Sequence, residues 1–191
     1  MSEPRTKLLA LGLDATSPEL IDRWTADGTM PNLGALLERG LSGPVAGVEG
    51  FYVGSTWPSL YTGTNPARHG VHYELQLVPG TYELHRVQHG EFVRTDPIWR
   101  ALGGRGRRVA SLDVPLAAPT DDLDGVQVVD WGGHDVFFGL HTHPPELGTR
   151  IVERYGVHPH GPSCDVRRDG VEDYRVFLER QLRGVELKTA W

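Results

Sequence analysis

Apolar and polar positions along the chain follow two different periods, and the alternation between them predicts the elements. Leu8 to Leu13 is a continuous apolar run closed by Asp14, the pattern of a strand buried on both faces. Ser17, Pro18 and Glu19 then give an N-cap with proline in the first turn, and Leu20, Ile21 and Trp24 recur at helical spacing before Gly28. A second helix is predicted from Pro31, with Leu33, Leu36 and Leu37 on one face and Gly40 as its stop, followed by an extended stretch over 41–48. A short helix follows at 57–62. Residues 71–93 place Tyr73, Leu75, Leu77, Tyr82, Leu84 and Val87 in near alternation around Pro79-Gly80, which predicts a hairpin.

Beyond it, Thr95 or Asp96 is positioned to cap a helix through Ile98, Trp99 and Leu102. A basic glycine loop leads into a strand at Val109 to Val114, and another strand is expected at Val126 to Val129. Pro145 to Tyr155 reads as a helix, 156–163 as a loop and Val171 to Trp191 as a long helical segment. Strand and helix in this alternation imply a parallel sheet with helices on both faces.

Composition narrows the function classes. The 191 residues are 39% hydrophobic and 23% charged, which suits a globular domain with a core. A net charge of -6 argues against a phosphate-tracking nucleic-acid surface, so Arg105, Arg107 and Arg108 read as a solvated loop. Cys164 is the single cysteine and cannot form an internal disulfide. The apolar N-terminal stretch is too short for a membrane span and is ended by Asp14 too soon for a signal peptide. A cytoplasmic chain without a membrane partner is the expectation.

Chemistry concentrates in two places. Asp14 falls at the carboxyl end of the first expected strand, where open α/β sheets gather ligands. It can serve there as a metal ligand, or as a cap or Asx turn before the helix at 17–27. The block GSTWPSLYTGTNPARHG at 54–70 sets Ser55, Thr56 and Ser59 around a helix start, where hydroxyls either cap the helix or sit in a phosphate site. Position leaves both readings open. Other ligands are on offer in His134-Asp135 of WGGHD and in the pair His141 and His143 of LHTHPP, where Pro144 and Pro145 favour a loop. His158 and His160 sit in a loop, HPHG. Trp57 and Trp99 are expected in the core.

Asp14 in LLALGLDAT, then PELIDRW, MPNLGALLERG and STWPSLYTGTNPARHGV, resemble in order and spacing the N-terminal part of type I phosphodiesterase/nucleotide pyrophosphatase proteins of the alkaline phosphatase superfamily. SLDVPLAAP and THPPEL extend the likeness over most of the chain. The resemblance implies a three-layer α/β/α sandwich with a largely parallel sheet, incomplete at the C-terminus. On that reading 1–191 is the N-terminal portion of a single catalytic domain, and the hairpin at about 71–93 is an insertion. It implies a metal-dependent hydrolase of small-molecule phosphate esters using divalent ions, two zincs in the family.

Carried over by motif, Asp14 becomes a metal ligand and Thr56 both nucleophile and metal ligand, with Ser59 where the family has an asparagine that steadies a phosphate oxygen. Ser55 is the second choice as nucleophile, and an alignment anchored on Thr62-Gly63 would put Val53 there instead. His69 in RHG matches a family position with a structural role. The Asp and His ligands that complete the second metal site in the family have no counterpart blocks before Trp191. That shortage leaves a second reading, a noncatalytic relative that binds a phosphate-bearing ligand or a partner.

Neighbouring chemistries lack their motifs. Cys164 lies in SCDVRR, with valine where a sulfatase needs proline. LGGRGRRVA is no Walker loop, and Gly54-Ser55 is not followed by the residues of a serine-hydrolase elbow.

Overall fold

A computed structural model describes residues 7–51, 54–87, 94–132, 139–159 and 168–190. The chain divides into two compact units, Met1–Ala46 and Gly47–Trp191. None of the described helices is long and apolar enough to cross a membrane.

In the first unit, α1 (Pro18–Ala26) and α2 (Pro31–Arg39) form where the punctuation placed them. Ser17 Oγ accepts from the Leu20 amide at 3.3 Å and donates to Glu19 at 2.6 Å, so the cap and the first-turn acid hold each other. Residues 8–13 overturn an expectation. They form no strand, and Leu8, Leu9 and Leu11 are exposed, so this segment is not the buried centre of a parallel sheet. A strand exists only where a neighbour takes its N–H and C=O groups. Among the described residues of this unit the regular elements are α1 and α2 alone. The stretch 41–48 likewise carries no regular structure.

The second unit contains α3 (Thr56–Thr62), α4 (Pro66–His69), β1 (Leu75–Leu77), β2 (Leu84–Arg86), α5 (Ile98–Gly103), β3 (Val109–Leu112), β4 (Gly125–Val129), β5 (His141–His143), α6 (Glu146–Tyr155) and α7 (Val171–Thr189). β1 and β2 pair antiparallel, with Leu77 opposite Leu84, which gives the expected hairpin; its far end at 88–93 lies outside the described residues. α5 starts from Pro97 rather than from a Thr95 or Asp96 cap. The Pro97 carbonyl accepts the amides of Arg100 and Ala101, while Asp96 turns its carboxylate to the Arg100 guanidinium.

The main sheet is small and mixed, in the order β3-β4-β5. β3 and β4 run parallel, as expected for 109–114 and 126–129. β5 is antiparallel to β4, with His141 opposite Val129 and His143 opposite Gln127. This α/β arrangement is consistent with an alkaline phosphatase-like family, without amounting to a largely parallel three-layer sandwich. β3 ends two residues before the expected limit because Asp113, at φ 46°, turns the chain out of the ladder. The strand at 141–143 replaces an expected loop. Its two prolines follow the last ladder residue, where they remove no donor from the pairing.

Two apolar clusters hold this unit. Tyr61, Trp99, Ala117 and Leu123 form the first, so Trp99 is in the core as expected, while Trp57 is half-buried and packs against it. Val128, Trp131 and Ile151 form the second, joined by Leu140, Leu147, Tyr155 and Leu187. Gln127 is buried and bonded at both ends of its side-chain amide. Its amide oxygen accepts from the Thr120 N–H at 2.7 Å and its amide nitrogen donates to the Ala118 carbonyl at 2.9 Å, tying the loop after β3 to β4.

Candidate functional site

The block at 54–70 is folded as a helix pair whose head is set by a glycine. Gly54 has φ +95°, and a Cβ there would stand 2.7 Å from the Glu74 nitrogen, so only glycine lets this turn lie flat on the backbone before β1. Ser55 follows as the N-cap of α3 and is 3% exposed. Thr56, the first residue of the helix, is exposed, and among the described residues no hydrogen bond engages its hydroxyl. The two candidate nucleophiles thus differ in access: Thr56 faces solvent and Ser55 is buried.

Ser59 and His69 account for the rest of the block. The Val71 N–H donates to His69 Nδ1 at 3.1 Å, which leaves that nitrogen unprotonated. The imidazole proton therefore sits on Nε2, 2.9 Å from Ser59 Oγ, and donates to it. Ser59 passes its own proton to the Ser55 carbonyl at 2.8 Å. Burial, reinforced by His72, pushes the His69 pKa down and keeps the ring neutral.

This chain of donors fixes two roles. His69 closes the α3–α4 turn, the structural part expected of it, and it cannot take a proton from Ser59 because its acceptor nitrogen is already used. Ser59 has committed its one proton to the backbone, so it does not stand as the phosphate-steadying donor that an asparagine would supply. The turn is braced further by Asn65 Oδ1, which accepts from the Arg68 amide, and by the Arg94 N–H on the His69 carbonyl.

Asp14 lies in the first unit, exposed in the turn that precedes α1. The following Ala15 has φ 51°, and Thr16 folds its hydroxyl back toward the carbonyls of Leu13 and Asp14. His134, Asp135, His160, Cys164 and Val53 lie outside the described residues. His141 and His143 share one face of β5 through their i, i+2 spacing. His141 Nδ1 donates to the Gly139 carbonyl at 3.1 Å. Among the described residues, no three His, Cys, Asp or Glu gather closely enough to hold a metal ion.

Asp113, in SLDVP, is a further acid of interest. It stands at the carboxyl end of parallel β3, and an acid closing an apolar run is the signal that singled out Asp14. Here the carboxylate is already spoken for. Its side chain is 5% exposed, accepts the amides of Trp131 and Gly132 at 3.0 and 3.1 Å, and pairs with Lys188 Nζ at 2.8 Å. That ion pair ties α7 to the sheet. His158 belongs to the same packing, its ring edge-on to Trp131 at 4.8 Å.

A cleft of about 640 Å³ opens between α3 and α5, floored by Tyr61 and Trp99 and rimmed by Arg94, Asp96, Arg100 and Asp122. Thr56 does not line it. Its polar groups are largely satisfied: Arg100 bridges Asp96 and Asp122, Tyr61 donates to the Leu116 carbonyl, and the Trp99 indole N–H points to Thr120.

Residues 8–161 match the family model for type I phosphodiesterase / nucleotide pyrophosphatase. Neither the curated proteins nor the solved structures give a significant match. The matched span covers most of the chain and includes Asp14, the whole 54–70 block, Asp113 and the β5 histidines. The chain therefore belongs to the type I phosphodiesterase/nucleotide pyrophosphatase family, whose members are phosphoester hydrolases.

Proposed function

We propose that this chain carries the nucleophile-bearing part of a metal-dependent phosphodiesterase/nucleotide pyrophosphatase-type hydrolase, with Thr56 as nucleophile and Asp14 as a metal ligand. The small sheet β3-β4-β5 would then be part of an alkaline phosphatase-like α/β/α layer. The observation that carries the reading is the exposed, unengaged hydroxyl of Thr56 at the head of α3, inside the span that matches the family. Its neighbours are occupied elsewhere, Ser55 by burial and Ser59 by the His69 and Ser55 contacts.

The donor set suits divalent cations in kind and falls short in number. Asp14 offers a carboxylate and Thr56 an alkoxide oxygen, two of the three or four protein ligands that one zinc takes. A pair of zinc ions, when bound, would supply positive charge to the attacking and leaving oxygens. Thr56 Oγ gives up its proton and forms a bond to phosphorus, while the bond to the leaving alcohol breaks and that alcohol departs protonated. Water then cleaves the phospho-threonine ester, which restores the Thr56 hydroxyl and releases a phosphate monoester.

The substrate class is a small-molecule phosphate ester. The test is hydrolysis of an activated phosphodiester with zinc or manganese, with and without chelator, by a protein that also carries the family's later Asp/His segments. Chelator-sensitive turnover lost in Thr56→Ala supports the proposal. Phosphate binding that ignores chelator, without turnover, supports the noncatalytic reading instead.

A further inference from the structure

Helix α7 is held to the sheet by one face and shows a second apolar face to solvent. Leu187 packs into the cluster of Val128, Trp131 and Ile151, Gly184 lies against His158, and Lys188 pairs with Asp113. At about 100° per residue, Leu178 stands opposite Leu187 across the helix. On that outer side run Val171, Tyr174, Leu178, Leu182 and Val185, each at least 55% exposed. A stripe of this length on a helix already docked elsewhere is a contact surface in search of a partner.

Its sequence names the partner. The spacings between the five residues are three, four, four and three, a palindrome centred on Leu178. Two copies of α7 laid antiparallel about a two-fold axis at Leu178 put Val171 against the partner's Val185, Tyr174 against the partner's Leu182 and Leu178 against itself. Every level of the stripe is then filled by an apolar pair.

The charges agree. Residues 171–179 hold Glu172, Asp173 and Glu179 against Arg175, a net of -2, whereas 180–189 hold Arg180 and Arg183 against Glu186, a net of +1 with Lys188 set aside in its inner-face pair with Asp113. Antiparallel pairing sets the acidic half over the basic half and opposes the helix dipoles head to tail, while parallel pairing sets like on like. We propose that the outer face of α7 is an isologous docking surface for a second copy of this chain, antiparallel and centred on Leu178.

One helix pair is small beside a standard interface of about 1,600 Å², so the dimer should form in the micromolar to millimolar range. Sedimentation of the 191-residue chain should show its mass rising from 21.1 kDa toward twice that value with concentration. Leu178→Glu should hold it monomeric with an unchanged thermal transition, since Leu178 makes no part of the core.

Cysteine pairing in a Cys164→Ser background tests the register. Leu178→Cys should crosslink to itself. Val171→Cys should not, but should crosslink when mixed with Val185→Cys. A chain that stays monomeric throughout this range overturns the proposal, as does self-crosslinking of Val171→Cys or a dimer that survives Leu178→Glu. These readouts do not depend on hydrolytic activity, so they stand or fall separately from the assignment of Thr56.

Discussion

His69 Nε2 donates to Ser59 Oγ across 2.9 Å, and this contact makes the centre of the 54–70 block a brace rather than a catalytic pair. Both His69 nitrogens are satisfied inside a fully buried site, so removing the ring leaves a cavity together with an unpaired Val71 amide. His69→Ala should cost about 2–4 kcal/mol in urea unfolding.

The same burial predicts a pH dependence. Because the folded state holds the His69 pKa below its ordinary value near 6.5, the unfolded chain binds more protons at mildly acidic pH. The contribution is complete above that ordinary value and is lost as pH falls toward the lowered folded pKa. Urea midpoints compared at neutral and mildly acidic pH should fall more steeply for the natural chain than for His69→Gln. Parallel slopes would show that another group governs acid stability.

Lys188 and Asp113 should behave as one latch. Lys188→Met strands a carboxylate that is 5% exposed, although two backbone amides still hold it, and the lysine itself is partly solvated. The cost should therefore be about 1–3 kcal/mol, below that of breaking a fully buried pair. A double-mutant cycle with Asp113→Asn checks it: the two losses should couple, not add.

Gly184 inverts a common rule. Replacing a mid-helix glycine by alanine ordinarily stabilises by up to about 1 kcal/mol. Here a Cβ would stand 2.4 Å from His158 Nε2, with Trp131 behind the ring. Gly184→Ala should therefore destabilise by about 1–3 kcal/mol, and the double variant with His158→Ala should recover part of that loss. A rise in melting temperature for Gly184→Ala alone would contradict this packing.

The helices were the most legible part of the fold, because their ends are written locally. Ser17-Pro18-Glu19 starts α1 with groups that touch within four residues, and Pro31 and Gly40 bound α2 in the same way. Strands depend on neighbours distant in sequence. The parallel pair at 109–112 and 125–129 carried enough apolar signal to be read, but 8–13 carried as much and forms no ladder. β5 was hidden by the prolines that follow it.

At the candidate site, the start of α3 was legible from its hydroxyls and prolines, whereas the exposure of Thr56 beside a buried Ser55 was not. The commitment of Ser59 to His69 was not, since ten residues and a second helix separate them. Asp113 carried the same signal as Asp14 and turned out to be paired with Lys188, which sits 75 positions further along the chain. An acid after an apolar run marks a strand end without saying which cation meets it.

Ligand number sets an expectation for metal. With Asp14 and Thr56 as the donors assigned, the 191-residue chain should bind zinc weakly in calorimetric titration and show little or no phosphodiesterase turnover. Tight stoichiometric binding with robust turnover would redirect the assignment to His134, Asp135, His141 and His143.

If Thr56 forms the covalent bond to phosphorus as proposed, mass spectrometry of the trapped enzyme will show it. A protein carrying 1–191 with the family's later Asp/His segments is mixed with an activated phosphodiester and divalent metal, acid-quenched and digested. A phosphoryl-ester adduct is expected on Thr56, absent with chelator and absent in Thr56→Ala, whose melting temperature is unchanged. An adduct on Ser55 or another residue, or full hydrolysis by Thr56→Ala, would contradict it.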